Sequence, residues 1–192
     1  MVFLYLSSSL FHGVPFTAAH NQVEFRFFQR LDQSAIYVLI AGTNTPLLAT
    51  LLAGRWRKWC LSGMWALASI GTAALWLLPK APHEVIVVIC LAMGWLGLLP
   101  LRHYYRAVGW QAMNWIWAGC ALYTAGALCE LAEWPVFTVS PVRFGFHETF
   151  HLISAAASAA FFLFILRYVI PYRGAAPIAP LATNYSYLQG VQ

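Results

Sequence analysis

The sequence predicts an all-α protein, a polytopic transmembrane helical bundle with six spans. Of its 192 residues, 61% are hydrophobic and 9% are charged, whereas a soluble domain carries about 25% charged residues. Its eleven basic residues lie in the short connections between apolar runs, as they do in proteins that cross the bilayer several times. This placement argues against a nucleic-acid-binding surface and favours one compact membrane unit.

The first apolar run, residues 1–14, is short for a transmembrane helix. About 14 residues at a rise of 1.5 Å give roughly 21 Å, less than a hydrocarbon core of about 30 Å. The start of this run is therefore either incomplete or misassigned, or the run is a signal peptide with a cleavage site near the small residues 17–19. A signal peptide requires a basic start, and the chain has no Lys or Arg before Arg26.

The remaining spans follow in order along the chain. A polar connection over residues 17–32 leads to a helix at 33–52, where the cluster Gly42–Pro46 should kink or thin the helix and face other helices. Further spans are expected at residues 61–78, 85–101, 110–129 and 147–170, with the longest loop at 130–146. We expect a membrane domain over residues 1–171 and a mobile, Pro- and Ala-rich tail over residues 172–192.

Cysteine and lysine positions exclude two common classes of protein. The four cysteines show no C-x-x-C spacing, so they indicate neither a disulfide framework nor a thiolate metal site. Both lysines, Lys58 and Lys80, lie in connections between spans. A retinal Schiff base in the middle of the membrane, and with it a rhodopsin-like function, is therefore excluded.

The last span begins with a metal-ligand spacing, His147-Glu148-Thr149-Phe150-His151. Two imidazoles four residues apart on a helix are separated by about 40° and roughly 6 Å, so both can point at one ion. The alternative is that both histidines are satisfied polar groups at the membrane interface. The string also matches the H-E-x-x-H pattern of zinc proteases, but Glu148 lies about 100° around the helix from His147, which favours a role at the interface or behind the metal ligands.

Successive spans cross the membrane in opposite directions, and with six spans this brings several polar residues to the same membrane face. His12 ends the first run, Asp32 precedes the second, Glu130 ends the fifth, and the histidine pair begins the sixth. Polar groups inside a membrane bundle are costly and usually functional. Glu130 and Glu133 compete with Asp32 as the carboxylate of this site, although a solvated pair at a helix end is the simpler expectation for them.

Three sequence blocks carry a resemblance to a known family. They are Ser8-x-x-x-His12 within LYLSSSLFH, the stretch RLDQSAIYVLIAGTNTP from Arg30 to Pro46, and FHETFHL from Phe146 to Leu152. With these blocks the chain resembles the haemolysin III and progestin/adipoQ receptor superfamily of integral membrane proteins over residues 1 to about 170. That family has seven spans, and this chain starts at what corresponds to the second.

The resemblance implies a zinc site and a set of residue roles. His12, His147 and His151 are the expected zinc ligands, and Asp32 is expected to reach the ion through water, with Ser8 beside it. Three imidazoles that leave one position open form a catalytic type of zinc site. Asp32 would hold or deprotonate the zinc-bound water, and Ser8 would orient a ligand or stabilise a developing oxyanion.

The expected function is zinc-dependent hydrolysis of a lipid amide or ester, since the family and its distant ceramidase relatives are linked to that chemistry. The alternative is a non-enzymatic receptor-like or membrane-perturbing protein in which zinc joins the helices structurally. Membrane lipids and a lipid-like substrate are the expected partners, with no nucleic acid. The sequence does not predict an oligomeric state.

Two signals disagree on the orientation of the chain in a bacterial cell membrane. The resemblance implies that the face with the zinc site is cytoplasmic. Connections on that face, however, hold four basic residues, and those on the opposite face hold seven. The positive-inside rule favours the opposite face as the cytoplasmic one.

Overall fold

The computed structural model describes residues 2–13, 22–78, 82–139 and 142–174, and these residues form a bundle of helices. The all-α fold class is confirmed, with one helix for each expected span. The helices are α1 Val2–Gly13, α2 Gln22–Leu51, α3 Gly54–Leu77, α4 His83–Leu96, α5 Leu101–Ala132 and α6 Phe146–Phe164, which continues as a π-helical segment Ile165–Val169. The tail beyond residue 174 and the small residues 17–19 lie outside the described residues.

The loop between α5 and α6 contains a short antiparallel hairpin. Strand β1, Phe137–Val139, pairs with strand β2, Val142–Phe144, and Phe137 lies opposite Phe144. The two strands make up more than half of the described residues between the end of α5 and the start of α6. The hairpin brings the chain back so that α6 packs against α5, which is the most extensive helix contact among the described residues.

Within the described ranges, four helices are long and apolar enough to cross a membrane: Val23–Leu51, Gly54–Leu77, Leu101–Ala132 and Phe146–Val169. Helix α4 is apolar but has 14 residues, and α1 has 12. Large apolar side chains point outward from the bundle; Leu77, for example, is 81% exposed. Such a surface is unfavourable in water and suits a hydrocarbon solvent.

Helix α2 begins earlier than the sequence predicted. Residues 22–32 were expected to form a polar connection, but they are helical, and α2 runs for 30 residues. Hydropathy marks only the part of a helix that lies in the hydrocarbon, and polar residues such as Glu24 continue the same helix beyond it. Asp32 consequently lies about three turns inside α2 instead of preceding it.

Contacts between α2 and α3 fix the position of Asp32. Arg30 of α2 donates hydrogen bonds to the backbone carbonyls of Trp76 and Leu78, at 3.4 and 3.3 Å. The last carbonyls of a helix lack partners within the helix, so this guanidinium caps the end of α3. The Trp76 indole in turn donates to the Ser34 hydroxyl at 3.1 Å. Contacts to the end of α3, made by Arg30 before Asp32 and by Ser34 after it, therefore hold this segment of α2 in place.

The polar cluster in the middle of α2 does not interrupt the helix. The Asn44 amide donates to the carbonyl of Ile40 at 2.9 Å, and the Thr45 hydroxyl donates to the carbonyl of Ala41 at 2.8 Å. Pro46 has no backbone N–H and therefore removes one donor from this part of the helix. The Asn44 and Thr45 side chains supply additional donors to nearby carbonyls. Trp65 of α3 donates to the Thr45 hydroxyl at 3.0 Å, so this part of the cluster faces another helix, as expected.

Two glycines shape α5. Gly109 has φ of 78°, a conformation that L side chains rarely adopt, and it separates a short first segment from the rest of the helix. The predicted span at 110–129 begins at this break. Gly119 lies against the Phe161 ring of α6 with no room for a Cβ atom. The two helices therefore approach closely, and their contact buries Ile116 and Phe164 completely.

Candidate metal centre

Three histidines from the two ends of the chain meet at one point. His12 lies in the last turn of α1, and His147 and His151 lie in the first two turns of α6. Their nearest ring nitrogens all lie within 4.8 Å of one another. His147 Nε2 is 3.3 Å from His12 Nε2 and 3.1 Å from His151 Nε2. The structure thus brings together the three residues that the sequence motifs singled out.

The distances from His147 Nε2 to the other two nitrogens, 3.3 and 3.1 Å, are close to those in a tetrahedral metal site. With Zn–N distances of about 2.0–2.1 Å, two nitrogen ligands of a tetrahedral zinc are roughly 3.3–3.4 Å apart. Nitrogen lone pairs that face one another repel unless a cation or a proton lies between them. A single N–H···N hydrogen bond could join one pair of rings, but it would leave the third ring without a partner. The donor set is therefore suited to a shared cation.

Glu130, near the end of α5, orients one of the three rings. Glu130 is 7% exposed, and its Oε1 and Oε2 lie 3.2 and 3.4 Å from His147 Nδ1. A carboxylate accepts hydrogen bonds, so Nδ1 carries the hydrogen and Nε2 is left with its lone pair directed at the other two histidines. A carboxylate behind a ligating histidine is a common arrangement in zinc sites.

His83, the first residue of α4, also contacts this carboxylate. His83 Nε2 lies 3.1 Å from Glu130 Oε1. The His83 side chain is half-exposed, whereas the Glu130 side chain is buried. One buried carboxylate thus links the start of α4, the end of α5 and the start of α6.

Asp32 and Ser8 lie beside the three histidines. The Asp32 carboxylate interacts electrostatically with His12 and His147, and the Ser8 hydroxyl is positioned to donate a hydrogen bond to it. Ser8 lies one turn before His12 on α1, so the same helix supplies a histidine and the partner of the carboxylate. Asp32 does not belong to the group of residues whose ligand atoms converge on one point. Its place beside that group suits contact through a water molecule.

Glu148 has a structural role at the start of α6. Its Oε2 accepts a hydrogen bond of 2.8 Å from the backbone N–H of Gly145, which precedes the helix. A glutamate in the first turn that bonds back to the residue before the helix stabilises the helix start. Thr149 contributes there as well, since its hydroxyl donates to the carbonyl of Gly145 at 2.8 Å. The exposed Glu148 side chain therefore differs from the general base of an H-E-x-x-H protease.

A cavity of about 250 Å³ extends from the histidines into the bundle between α1, α2, α4, α5 and α6. His147, His151 and Asp32 line its polar end. Its walls deeper in the bundle are mainly apolar and reach Trp95 and Phe161. The three-histidine site thus opens onto a space that suits an apolar chain.

Two residues of the site have roles that the sequence did not reveal. Glu130 was expected to form a solvated pair with Glu133, which is wrong for Glu130 because it is buried between two histidines, whereas Glu133 is exposed. His83 was not among the residues predicted for the site. Their pairing depends on contacts among three helices, and the only sequence signal was the position of Glu130 at the same membrane face.

Comparison with known proteins gives a consistent result. A family model described as "Haemolysin-III related" matches residues 1–162. "Hemolysin-3" of Bacillus cereus is 33% identical over 171 residues, which cover 89% of this chain and 72% of that protein. "Hemolysin-3 homolog" of Bacillus subtilis (strain 168) is 29% identical over 170 residues, which cover 88% of this chain and 74% of that protein. No solved structure gives a significant match.

Proposed function

The chain belongs to the haemolysin III-related family of membrane proteins, and we propose that it is a zinc-dependent hydrolase of a lipid amide or ester. The observation that carries this proposal is the position of the three histidine nitrogens at the polar end of an apolar cavity, with Asp32 beside them. A purely structural metal site has no need of such a cavity. The bacterial relatives favour a bacterial cell membrane as the location.

The residues present fit a zinc ion in their chemistry and spacing. His12, His147 and His151 would hold the ion through Nε2 and leave one position open. When bound, zinc supplies a Lewis acid that lowers the pKa of a coordinated water molecule to about 7. Glu130 keeps the His147 ring in the orientation that directs Nε2 into the site.

Asp32 and Ser8 supply the remaining polar groups of the proposed reaction. The Asp32 carboxylate orients the attacking water and accepts its proton, as a general base must from within hydrogen-bond reach. Ser8 interacts with this carboxylate and fixes its direction. At the same time, the walls of the cavity exclude bulk water from the apolar chain of the substrate.

The proposal is tested with detergent-purified protein against a panel of ceramides and acyl esters. We expect zinc-dependent release of fatty acid from at least one lipid of the panel. Asp32→Asn should retain zinc and lower kcat by roughly 100-fold or more, because it removes the proton acceptor and leaves the three histidines in place. Ser7→Ala is the matched control, since Ser7 is buried on α1 but bonds only to its own helix, at the Phe3 carbonyl.

The second candidate function is non-enzymatic, with zinc joining α1 to α6 structurally. Protein that retains zinc but hydrolyses none of the panel would favour it over the hydrolase. The relatives are named hemolysin-3, which points to perturbation of membranes as one form of this candidate. Leakage of dye from liposomes that is unchanged by His12→Ala would support that form.

For the orientation, we propose that the face with the histidines is cytoplasmic. The family resemblance supports this orientation, and the excess of basic residues on the opposite face opposes it. Single cysteines can be placed at Glu133 and at Arg173 in a variant without the native cysteines, then treated in intact cells with a membrane-impermeant maleimide. We expect labelling at position 173, and labelling at position 133 instead would reverse the assignment.

A further inference from the structure

Two glutamines of α2, Gln29 and Gln33, line the polar end of the cavity beside Asp32. They are one helical turn apart, separated by about 40° and roughly 6 Å, so both amides belong to one face of the helix. Both residues are partly exposed, and neither has a hydrogen-bond partner in the part of the chain that the structure describes. A molecule in the cavity can therefore reach both amides.

The depth of these glutamines matches the head group of a bound lipid. Gln29 precedes Asp32 by three residues, which places it about 4.5 Å nearer to the membrane face of the histidines, and Gln33 lies almost level with Asp32. The apolar part of the cavity extends in the opposite direction, toward Trp95 and Phe161. A lipid with its acyl chain in the apolar part and its carbonyl group at the histidines therefore has its head group beside Gln29.

The charges around this end of the cavity disfavour an anionic head group. None of the described residues that line the cavity is a lysine or an arginine, whereas Asp32 and Glu130 both carry carboxylates. Arg30 follows Gln29 in sequence, but its guanidinium donates to two carbonyls at the end of α3. Two carboxylates already balance the charge of a divalent ion held by the histidines. A phosphate group would add negative charge there without a lysine or arginine to pair with.

Glutamine amides are well suited to hydroxyl groups. Each amide offers two donor hydrogens and an acceptor oxygen, and a hydroxyl group both donates and accepts. We propose that Gln29 and Gln33 bind an uncharged head group that carries hydroxyl groups, and that a phosphorylated head group is disfavoured. This inference rests on the proposed function, because it places the carbonyl group of the substrate at the histidines. The substrate class is accordingly a lipid amide or ester with a neutral, hydroxyl-bearing head group.

The test measures binding of lipids that contain no amide or ester to their chain, so that it does not depend on the hydrolase reaction. 1-O-Decylglycerol has an ether link and two hydroxyl groups, and in its 3-phosphate one of these hydroxyls is phosphorylated. The full zinc-containing chain in detergent is titrated calorimetrically with each lipid. We expect the neutral lipid to bind at least about tenfold more tightly, because the phosphate loses hydration beside two carboxylates.

Three variants locate the head group at the glutamines. Gln29→Leu and Gln33→Leu should each lower the affinity for the neutral lipid roughly three- to tenfold, as the loss of one hydrogen bond implies. Gln29→Lys should raise the affinity for the phosphorylated lipid about tenfold, since it supplies a cation for the phosphate. Gln111→Leu is the matched control and should change neither affinity, because Gln111 is exposed on α5 and does not line the cavity.

Three results would overturn the inference: no binding of either lipid, equal binding of both lipids by the wild type, or wild-type affinity for the neutral lipid in both leucine variants. The proposed function is judged separately by release of fatty acid from the ceramide and ester panel. A preference that depends on the glutamines, in a protein that hydrolyses no lipid, would refute the hydrolase alone. Hydrolysis without the preference would refute the head-group site alone.

Discussion

The two ends of the bundle carry opposite charges and use them differently. One end, the metal face, consists of the end of α1, the starts of α2, α4 and α6, and the end of α5. The other, the basic face, consists of the starts of α3 and α5 and the end of α6. All six acidic residues belong to the metal face: Glu24, Asp32, Glu84, Glu130, Glu133 and Glu148. Seven basic residues belong to the basic face: Arg55, Arg57, Lys58, Arg102, Arg106, Arg167 and Arg173.

Polar groups at the basic face lie around the rim of the bundle. The Arg167 guanidinium lies over the Trp115 ring, 5.2 Å from its centroid. His103 packs beside the Trp56 ring at 5.3 Å. Charged groups beside aromatic rings at the end of a span are typical of the zone of lipid head groups. This arrangement spreads positive charge around the rim of this face, and the described residues there form no converging group of metal-binding donors.

At the metal face the polar groups converge inside the bundle. His12, His147 and His151 direct nitrogens at one point, and the buried Glu130 lies behind them. The comparison shows that the amount of charge at a membrane face does not by itself indicate a site. Convergence of polar side chains from several helices on one point does, because donor atoms that face one another are satisfied by a shared ligand or proton.

Removal of a converging histidine should have the largest effect on metal binding. We expect wild-type protein to retain about one zinc per chain, and His12→Ala and His151→Ala each to lose nearly all of it, since two imidazoles hold zinc far less tightly than three. Elemental analysis of detergent-purified protein measures this directly. Loss in both variants would show that the first and last helices share one site.

The matched control for this experiment comes from the basic face. His103→Ala removes a histidine of that face, and the zinc content should not change, because His103 lies beside Trp56 and outside the converging group. An equal loss of zinc in all three variants would indicate general destabilisation. Wild-type protein that binds no zinc would refute the metal centre, and the proposed hydrolase with it.

Much of the fold and part of the site could be predicted from local patterns in the sequence. Apolar runs gave six helices in the right order, and the spacing of His147 and His151 placed both on one face of α6. His12 was implied as a ligand by the family resemblance, and counting spans placed it on the same membrane face as the histidine pair. Apart from that resemblance, these inferences work because helical periodicity and the membrane thickness are fixed quantities.

The remaining features depend on packing between helices. The pairing of Glu130 with His83 and His147 joins residues that are up to 64 positions apart in sequence, and no helical period connects them. The extension of α2 past Asp32 was missed because hydropathy ends at the hydrocarbon boundary while the helix does not.

A smaller effect should follow from changing the carboxylate behind the site. Glu130→Gln keeps the size of the side chain but removes its charge, so it weakens the hold on His147 Nδ1 and makes that imidazole a poorer ligand. We expect zinc affinity to fall about 10- to 100-fold, as is common for such partners of zinc ligands. Competition with a zinc chelator of known affinity measures the change.

Glu133→Gln is the appropriate control, because it makes the same substitution three residues away on an exposed side chain. Glu133 terminates α5 with φ of 50°, and glutamine preserves that backbone position as well as glutamate does. Equal affinities in wild type and Glu130→Gln would mean that the carboxylate only joins α4 to α6. In that case the substitution would change only the stability of the zinc-free protein, which thermal unfolding measures. If zinc affinity falls while the stability of the zinc-free protein is unchanged, Glu130 acts on the metal through His147. The residues that determine zinc binding at this face then include Glu130 as well as the three ligands.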